Sequence, residues 1–329
     1  MNETEQPWVT WLIPILNGMP FLPSGLQTIV DQTYRNYTVL VWDNGSTDGT
    51  LEELRRWIPE RIPGRIVADR PLPLGASLAR LVEEAETEFC ARFDADDLNR
   101  PERLERQARF LLEHPSVGVV GSQIHTIDEH GNPLPEYNHE SSDAEIRWLA
   151  RYGCRLCHPS VMFRRSVILA AGNYHDVPSE DTDLWLRTAD VTEMANLPER
   201  LVCYRRRTGS VTGSIRDWLP VLRRIAESSA TRLFPGIDDS ERALDLWDAT
   251  VPSRLTWIAE NRHPAKPSHL RDLKRSAVLL ARRVGKPDDY FTGAEIFREQ
   301  YYLLKRRVLK RFGLSPLLWL RDRAASARV

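Results

Sequence analysis

The amino-acid sequence predicts an α/β fold with a mostly parallel sheet flanked by helices, followed by a helical region. Two observations predict the sheet: over residues 1–120 short apolar runs alternate with segments of helical spacing, and the apolar runs end at polar or glycine-containing turns. Beyond about Ile215, amphipathic segments punctuated by prolines replace this alternation. We therefore expect two domains, residues 1–215 and residues 216–329.

Apolar runs predict the strands of the sheet. The strands are expected at residues 8–16, 38–42, 65–68, 89–93 and 117–121. The second of them stops at Asp43 and the fourth at Asp94. Because ligands of such sheets bind beyond the carboxyl ends of the strands, both carboxylates are predicted to open into one crevice.

Apolar residues at helical spacing predict the helices that connect the strands. The helices are expected at residues 23–32, 50–57, 76–86, 101–113, 162–171 and 183–189. The polar run before Thr50 suits a helix cap, and Pro101 suits a first helical turn. The polar segment 127–142 is predicted to be a loop or a hairpin.

Composition and charge restrict the classes of function. The chain has 45 Lys and Arg against 46 Asp and Glu, a net charge of −1, which argues against a nucleic-acid partner. The amino terminus lacks the cationic region of a signal peptide, and no run approaches the roughly 18 apolar residues that span a bilayer. We therefore expect a cytoplasmic protein whose four cysteines are thiols.

The segment VWDNGSTDGT at residues 41–50 joins a predicted strand to a predicted helix. Its Asn-Gly pair suits a positive φ, and its Ser, Thr and Asp suit a helix cap. These residues fit an ordinary turn as well as a ligand-binding loop, so this segment alone does not decide between the two.

Three carboxylates, Asp94, Asp96 and Asp97, lie within four residues at the end of a predicted strand. Neighbouring carboxylates repel one another unless a cation or hydrogen bonds offset their charge. Such oxygen ligands suit Mg²⁺ or Mn²⁺, which commonly takes one or two protein carboxylates together with substrate phosphate oxygens. An isolated Asp-x-Asp can also be a solvated acidic turn. These aspartates, however, follow an apolar strand and so lie at the edge of the sheet where ligands are expected, which favours a metal site.

Five segments resemble, in order, those of the family 2 glycosyltransferases, nucleotide-sugar enzymes with the GT-A type of fold. The segments fall within residues 8–212 and read WLIPILNG at 11–18, QTYRNYTVLVWDNGSTDGT at 32–50, ARFDADDLNRPERLERQ at 91–107, HPSVMFRRS at 158–166 and SEDTDLWLR at 179–187. One Asp-x-Asp is weak evidence, whereas five ordered segments are specific.

The resemblance implies that a nucleotide-sugar donor binds at the carboxyl edge of the sheet. In the family pattern Asp43 would bond the uracil or thymine ring, and Asp94 would face the ribose and the sugar. The implied donor-binding residues are Pro14, Ile15, Leu16, Asn17, Asp43, Asn44, Gly75, Asp94 and Ala95.

The resemblance also implies a divalent metal, Mn²⁺ or Mg²⁺, held by Asp96 and Asp94 at the donor diphosphate. Asp97 matches either the metal site or a cap of the next helix. The implied catalytic base is Asp181, with Glu180 and Asp183 beside it. These three acids also suit the first turn of a helix, where the helix dipole favours negative charge.

The implied reaction is an inverting transfer of a sugar from a UDP- or dTDP-sugar to a glycan or lipid-linked glycan, of the kind used in bacterial surface polysaccharide synthesis. Two alternatives stay open. A nucleotidyltransferase should carry a Gly-rich, Lys-containing phosphate loop after the first strand, and here that turn is Asn17-Gly-Met-Pro. A catalytically degenerate sugar-nucleotide-binding or scaffolding relative should have lost Asp94, Asp96 or Asp181, and all three are present.

The sequence departs from the family pattern at several positions. Asn44 stands where a second acid is common, Leu16 where an aromatic residue is frequent, and Leu81 and Glu83 where an Asn and a Gly are usual. Arg207 stands where the family often has a His before Gly-Ser. Because a guanidinium fork suits diphosphate oxygens, we interpret Arg207 as a clamp on the donor, with a surface basic run as the alternative.

The run Cys154-Arg-Leu-Cys157-His158 spells a haem-attachment pattern. No second pair of metal-ligating residues accompanies it, and haem attachment needs an oxidising compartment, so we expect two thiols rather than haem or zinc. His158 matches the family segment and either contacts a substrate or has a structural role.

Residues 298–320 interleave apolar and basic side chains at helical spacing. A basic amphipathic helix of this kind lies on an anionic membrane, here the inner face of the cell membrane, or packs on the protein with its charges in water.

Overall fold

The computed structural model describes residues 8–136, 138–210, 218–250 and 266–293, together with Tyr301, Leu304 and Val308. Contacts within the chain divide it into two compact units, Met1–Asp217 and Trp218–Val329. We call them the first unit and the second unit. The division falls close to the boundary expected after residue 215.

The first unit contains an eight-stranded sheet. Its strands are β1 (Val9–Ile15), β2 (Tyr37–Asp43), β3 (Gly64–Val67), β4 (Phe89–Arg92), β5 (Leu98–Asn99), β6 (Val117–Ile127), β7 (Met162–Arg164) and β8 (Glu193–Arg205), in the order β3-β2-β1-β4-β7-β6-β8-β5. Strands β3, β2, β1 and β4 are mutually parallel, as are β6 and β8. Strand β7 is antiparallel to β4 and β6, and β5 is antiparallel to β8. The mostly parallel sheet that the sequence predicts is confirmed.

In the described part of the first unit, seven helices cover the two faces of the sheet. They are α1 (Leu22–Val30), α2 (Thr50–Trp57), α3 (Leu74–Glu84), α4 (Arg103–Glu113), α5 (Asp143–Ala150), α6 (Arg165–Ala170) and α7 (Glu180–Thr188), with a 3₁₀ turn at His158–Ser160. Successive residues of a strand point to opposite faces. On β1, Trp11 and Ile13 therefore pack with α1, α2 and α4, whereas Leu12 packs with α3, α6 and α7.

The helix predicted at residues 162–171 is wrong at its start. Met162–Arg164 forms β7, in which Phe163 pairs with Cys90 of β4 on one side and with Val119 of β6 on the other. Helix α6 begins only at Arg165. A short apolar run fits a buried strand as well as a helix, and pairing with neighbours on both sides decides between them.

Three elements of the first unit have weak sequence signals: β5, α5 and β8. In strand β8, charged residues and Pro198 interrupt the apolar ones, yet the strand runs parallel to β6 over most of its length. That pairing extends β6 to Ile127, opposite Arg205, well past the predicted end at residue 121. The distant partner strand, rather than local propensity, makes these residues a strand.

The described part of the second unit is helical and contains no strand. Its helices are α8 (Leu219–Ser228), α9 (Ala230–Leu233), α10 (Ser240–Thr250), α11 (Pro267–Arg283) and α12 (Tyr290–Gly293). Buried Phe234, Trp247, Leu273 and Leu280 belong to its core. Within the described ranges, none of the helices has both the length and the apolar character needed to cross a membrane. Most of the segment 298–320 lies outside the described residues.

Candidate active site

Two loops at the carboxyl edge of the sheet are joined by hydrogen bonds. Asn17, which follows β1, has a left-handed φ of 54°, a conformation that asparagine tolerates better than most residues. Its backbone N–H donates to Ser46 Oγ at 2.9 Å, and its Oδ1 accepts from the Thr47 N–H at 2.9 Å. The Gly18 N–H donates to Thr50 Oγ1 at 2.8 Å. These contacts hold the ends of β1 and β2 as one surface, from which Leu16 projects with 55% of its area exposed.

Asp43 ends β2 and is nearly buried, with 2% of its area exposed. Both of its carboxylate oxygens accept from the Ser46 N–H at 3.3 Å, and Oδ1 also accepts from the Ser46 hydroxyl. The turn that follows β2 therefore orients this carboxylate before any ligand arrives. Contact of Asp43 with a nucleobase stays a prediction.

Asn44 and Gly75 have clear structural roles. The Asn44 amide accepts from the Leu72 N–H at 3.1 Å and donates to Ser77 Oγ at 3.3 Å, so it ties the loop before α3 to α3 itself. A Cβ on Gly75 would lie 2.3 Å from the backbone oxygen of His175 and 2.7 Å from the Cα of Asp176. The close approach of this backbone requires glycine at position 75. Contact of these two residues with a donor stays a prediction.

The three aspartates that follow β4 occupy three different environments. Asp94 is the most open, with 34% of its side chain exposed, and its Oδ1 lies 2.7 Å from Nη2 of the buried Arg92. Asp96 Oδ2 lies 2.6 Å from Arg207 Nε. Asp97 is buried, and its Oδ1 accepts from the backbone N–H of Arg205 at 2.7 Å. Asp97 is therefore bonded to the end of β8, Asp96 is mostly covered beside Arg207, and Asp94 is the most accessible of the three.

Like charges and burial disfavour full ionisation of this loop. Burial and the charge of Asp94 raise the pKa of Asp96 above its usual value, although Arg207 opposes the shift. Burial, followed by Asp94 and Asp96, raises the pKa of Asp97 well above its usual range. An added cation would offset this repulsion, so the residues fit a divalent metal.

The ligand set for such a metal would be small. Among the described residues, no group of three or more His, Cys, Asp and Glu side chains is arranged to hold a metal ion. Asp94 and Asp96 would supply the protein ligands, and the phosphates of a donor and water would supply the rest, which is the usual arrangement for Mg²⁺ at phosphate substrates.

Arg205 is a site residue without a recognisable sequence signal. It ends β8, and its Nε donates to the backbone oxygen of Asp96 at 2.7 Å. Its guanidinium carbon lies 4.8 Å from the centroid of the Phe21 ring. Because the sequence shows three successive arginines at 205–207, it does not reveal which one holds the loop and which one faces Asp96.

The three acids of α7 are bonded separately. Asp181 Oδ1 accepts from the Thr182 N–H at 2.7 Å and from Ser179 Oγ at 3.0 Å, and Ser179 itself has a left-handed φ of 59°. Asp183 is buried, and its Oδ2 lies 2.7 Å from Arg187 Nη2 and 3.0 Å from His175 Nδ1. That engagement favours a structural role for Asp183 and leaves Asp181 as the better base.

His158 connects α7 to the rest of the site. The buried ring has Nε2 at 2.8 Å from the Tyr174 hydroxyl and Nδ1 at 3.5 Å from Glu180 Oε1. Its edge packs against Trp185, with 6.1 Å between ring centroids. The ring is held on both sides, which favours a structural or positioning role.

All four cysteines are thiols in the structure, as expected. Burial and the nearby Asp181 raise the pKa of Cys154 well above its usual range. Burial, and then the charges of Asp97, Asp94 and Asp181, do the same for Cys157. The carboxylates after β4 and at the start of α7 therefore act on one thiol, which indicates that the fold brings the two acidic groups to a common region.

A cavity of about 670 Å³ opens at the opposite, amino-terminal edge of the sheet. Its lining includes Trp8, Thr10, Thr38 and Glu86 and none of the carboxylates described above. In parallel sheets the chemistry lies at the carboxyl edge, so the arrangement of charges rather than the size of this cavity identifies the candidate site.

Comparison with known proteins identifies the family. Residues 10–170 match the family model described as Glycosyl transferase family 2. The amylovoran biosynthesis glycosyltransferase AmsE of Erwinia amylovora is 32% identical over 202 residues, which cover 59% of this chain and 73% of AmsE. The chain belongs to this family. It is a glycosyltransferase, as its resemblance implied.

Solved structures show the same fold for this glycosyltransferase. S. aureus TarS 1–349, crystallised with UDP-GlcNAc, matches with a TM-score of 0.60 at 16% identity, over 93% of this chain and 92% of that chain. The mannosyltransferase PcManGT from Pyrobaculum calidifontis, in complex with GDP-Man and Mn²⁺, matches with a TM-score of 0.50 at 18% identity, over 93% and 88% of the two chains. The expected GT-A-like α/β class is thereby confirmed. The roles of individual residues stay predictions.

Proposed function

We propose that this glycosyltransferase transfers a sugar from a UDP- or dTDP-sugar to a glycan or lipid-linked glycan in bacterial surface polysaccharide synthesis. The observation that carries the proposal is the gathering of Asp43, the carboxylates after β4 and Asp181 at the carboxyl side of one sheet. The UDP-GlcNAc bound by TarS supports the choice of a UDP-sugar donor. The description of AmsE as an amylovoran biosynthesis glycosyltransferase supports a role in polysaccharide synthesis.

In this proposal the donor nucleotide lies across the ends of β1 and β2. Asp43, already oriented by Ser46, accepts a hydrogen bond from the N–H of a uracil or thymine ring. The residues from Pro14 to Asn17 line the base, and the hydrogen bonds between the two loops keep this surface rigid. Asp94 and Ala95 face the ribose and the sugar.

Asp94 and Asp96 would hold the divalent metal, with Mn²⁺ and Mg²⁺ both suited to the oxygen ligands. The Mn²⁺ bound with GDP-Man in PcManGT supports this assignment. When bound, the ion would stabilise the negative charge that develops on the departing diphosphate.

Asp181 acts as the general base. It accepts the proton that the acceptor hydroxyl loses as the hydroxyl oxygen attacks the anomeric carbon, while the bond from that carbon to the diphosphate breaks on the opposite side. A single displacement of this kind inverts the anomeric centre. The bonds from Ser179 and Thr182 to Asp181 Oδ1 fix the carboxylate at the start of α7, which supports its selection over Glu180 and Asp183.

Arg207 clamps the donor diphosphate. In the structure its guanidinium bonds Asp96, one of the proposed metal ligands. On donor binding the guanidinium exchanges that carboxylate for diphosphate oxygens, which its fork matches well. The Arg207–Asp96 pair therefore offsets the charge of Asp96 before the donor arrives.

The remaining assignments concern the whole chain. We infer that residues 1–215 are the catalytic domain and that residues 216–329 shape the acceptor site or an interface. We infer further that the protein works in the cytoplasm, at the inner face of the cell membrane, with contact through residues 298–320. Membership of the glycosyltransferase family removes the nucleotidyltransferase alternative.

A donor screen tests the proposal. Release of nucleoside diphosphate is measured across UDP-, dTDP- and GDP-sugars with Mn²⁺, Mg²⁺ or EDTA. We expect metal-dependent release from one UDP- or dTDP-sugar, and its loss in Asp96→Ala. Activity with GDP-sugars alone would contradict the proposed donor. If the panel shows no turnover and no metal-dependent nucleotide binding, the result would favour a degenerate sugar-nucleotide-binding or scaffolding protein.

A further inference from the structure

The two units carry opposite net charges. Residues 1–217 contain 23 Lys and Arg against 33 Asp and Glu, a net charge of −10, whereas residues 218–329 contain 22 against 13, a net charge of +9. The near-neutral total conceals this separation. An anionic surface would attract the second unit and repel the first, and both effects act over about a Debye length, roughly 10 Å at 0.1 M salt.

Within the described part of the second unit, the positive charge is concentrated on α11. Arg271, Lys274, Arg275 and Arg282 are exposed and fall within one arc of the helix, opposite a buried face that includes Leu273, Ala277 and Leu280. We call these four residues the basic face. The one acid of α11, Asp272, is buried and lies 2.9 Å from Arg242 Nε of α10. The helix therefore offers no exposed acid to neutralise its basic face.

Three exposed arginines on helices of the first unit pair within their own helix, although exposed Arg55 of α2 and Arg106 of α4 form no ion pair with the described residues. Arg56 pairs with Glu53 at 3.1 Å, Arg80 with Glu83 at 2.6 Å, and Arg109 with Glu105 at 2.6 Å. Each acid lies three or four residues away on the same helix. Among the described residues, by contrast, Arg271, Lys274 and Arg275 have no acid within ion-pair distance, and Arg282 alone of the basic face pairs, with Asp288 at 2.7 Å.

We infer that the basic face of α11 binds the headgroups of an anionic phospholipid membrane. The sequence that follows favours lipid over a soluble polyanion. Residues 305–311 continue the positive charge, and residues 312–320, FGLSPLLWL, are almost entirely apolar. Apolar and tryptophan side chains beside basic ones gain free energy by entering the headgroup region of a bilayer. This inference goes beyond the proposed function, because it adds a binding surface on an element outside residues 298–320.

Vesicle flotation of the full chain tests the inference. Vesicles of phosphatidylcholine are compared with vesicles of phosphatidylcholine and phosphatidylglycerol. We expect flotation only with the anionic vesicles, and its loss when salt rises from about 0.1 M to about 1 M and the Debye length falls to roughly 3 Å. The variant R271Q/K274Q/R275Q should bind the anionic vesicles roughly tenfold or more weakly, since each basic side chain near such a surface adds attraction.

A matched variant controls for net charge. R56Q/R80Q/R109Q removes the same three charges from exposed positions of the first unit, and its binding should not weaken. Thermal melting checks that both variants are folded.

Two further measurements locate the contact. Equal flotation by the α11 variant and the wild type would overturn the inference, as would binding that is lost only when residues 305–311 are neutralised (K305Q/R306Q/R307Q/K310Q/R311Q). Binding of polyphosphate without flotation would assign the basic face to a soluble polyanion. Because flotation needs no turnover, an inactive chain that floats would contradict only the proposed function, and an active chain that does not float would contradict only this inference.

Discussion

The two acidic groups of the first unit hold their charges in opposite ways. After β4, Asp94, Asp96 and Asp97 crowd one loop, and burial, followed by their mutual repulsion, raises the pKa values of Asp96 and Asp97. At the start of α7, by contrast, Asp183 has its own ion pair with Arg187, and Asp181 has its own hydrogen bonds. The first arrangement keeps three carboxylates close together even though Arg92 pairs with Asp94 and Arg207 with Asp96. The second leaves one carboxylate in a fixed position.

The comparison leads us to expect different roles for two similar runs of acids. In the run DADD the carboxylates repel one another as well as contacting their partners, so an added cation would relieve repulsion there, whereas in the run EDTD Asp181 and Asp183 contact separate partners. Substitutions in the two groups should therefore change different measurable quantities: metal and donor binding in one, proton transfer and folding stability in the other.

The largest effect is expected at the proposed base. Asp181→Asn should lower the transfer rate on the order of 10²- to 10⁴-fold, because an amide cannot accept the proton of the acceptor hydroxyl. Nucleotide binding, measured by calorimetry, should stay close to that of the wild type. Glu180→Gln is the matched control and should retain most of the activity. The reverse pattern, with Glu180→Gln inactive, would move the base to Glu180.

A loss of stability rather than of chemistry is expected at Asp183. Asp183→Asn should lower the free energy of unfolding by about 3 kcal/mol, because it removes the buried carboxylate that pairs with the largely covered guanidinium of Arg187. Chemical denaturation measures this change. Asp176→Asn, at an exposed position nearby, should change stability little. If the two variants unfold alike, the ion pair of α7 is not the stabilising contact inferred above.

A smaller change, with opposite signs for two ligands, is expected at Arg207. Arg207→Gln frees Asp96 from its competing cation, so the affinity for Mn²⁺ alone should rise, by about tenfold for a difference of about 1.4 kcal/mol. The affinity for the nucleoside diphosphate should fall, because the clamp is gone. Titrating Mn²⁺ by electron paramagnetic resonance and UDP by calorimetry separates the two effects. Arg206→Gln, at the exposed neighbouring position, provides the control. Unchanged affinities for both ligands would refute the clamp.

The smallest effect is expected at Asp97, and it should be a gain. Asp97→Asn keeps an oxygen for the Arg205 N–H but removes a buried charge next to Asp94 and Asp96. We expect the free energy of unfolding of the metal-free protein to rise by about 1 kcal/mol. Asp69→Asn, at an exposed acid of the first unit, should leave it unchanged. If Asp97→Asn instead lowers the free energy of unfolding, the carboxylate of Asp97 stabilises the fold, as that of Asp183 is expected to do, and the contrast between the two groups of acids fails.

Local patterns were sufficient for the half of the sheet that carries the proposed donor site. Strands β1, β2 and β4 are mostly apolar runs because helices cover both of their faces, and such runs can be recognised without knowing their partners. Asp43 and Asp94 could be placed at one edge for the same reason, since the carboxyl ends of parallel strands coincide. The interpretation of DADD as a cation site needed only charge repulsion and this edge.

The other half of the sheet depends on pairing between distant segments. Phe163 is in a strand because Cys90 and Val119 lie on either side of it, and β8 is a strand because β6 accepts it. No local pattern contains that information. The correction of residues 162–164 from helix to strand, and the length of β6, both follow from this.

The sequence by itself determined the family, the mostly parallel sheet, and the acids at its carboxyl edge, because these depend on short segments whose residue types are read in order. Only the tertiary structure decided how the acids differ: Asp97 buried beneath Arg205, Asp96 paired with Arg207, and Asp183 paired with Arg187. The physical reason is that the pKa and the availability of a carboxylate depend on burial and on neighbouring charges. The arginines at 205 and 207 lie over 100 residues along the chain from the aspartates that they contact.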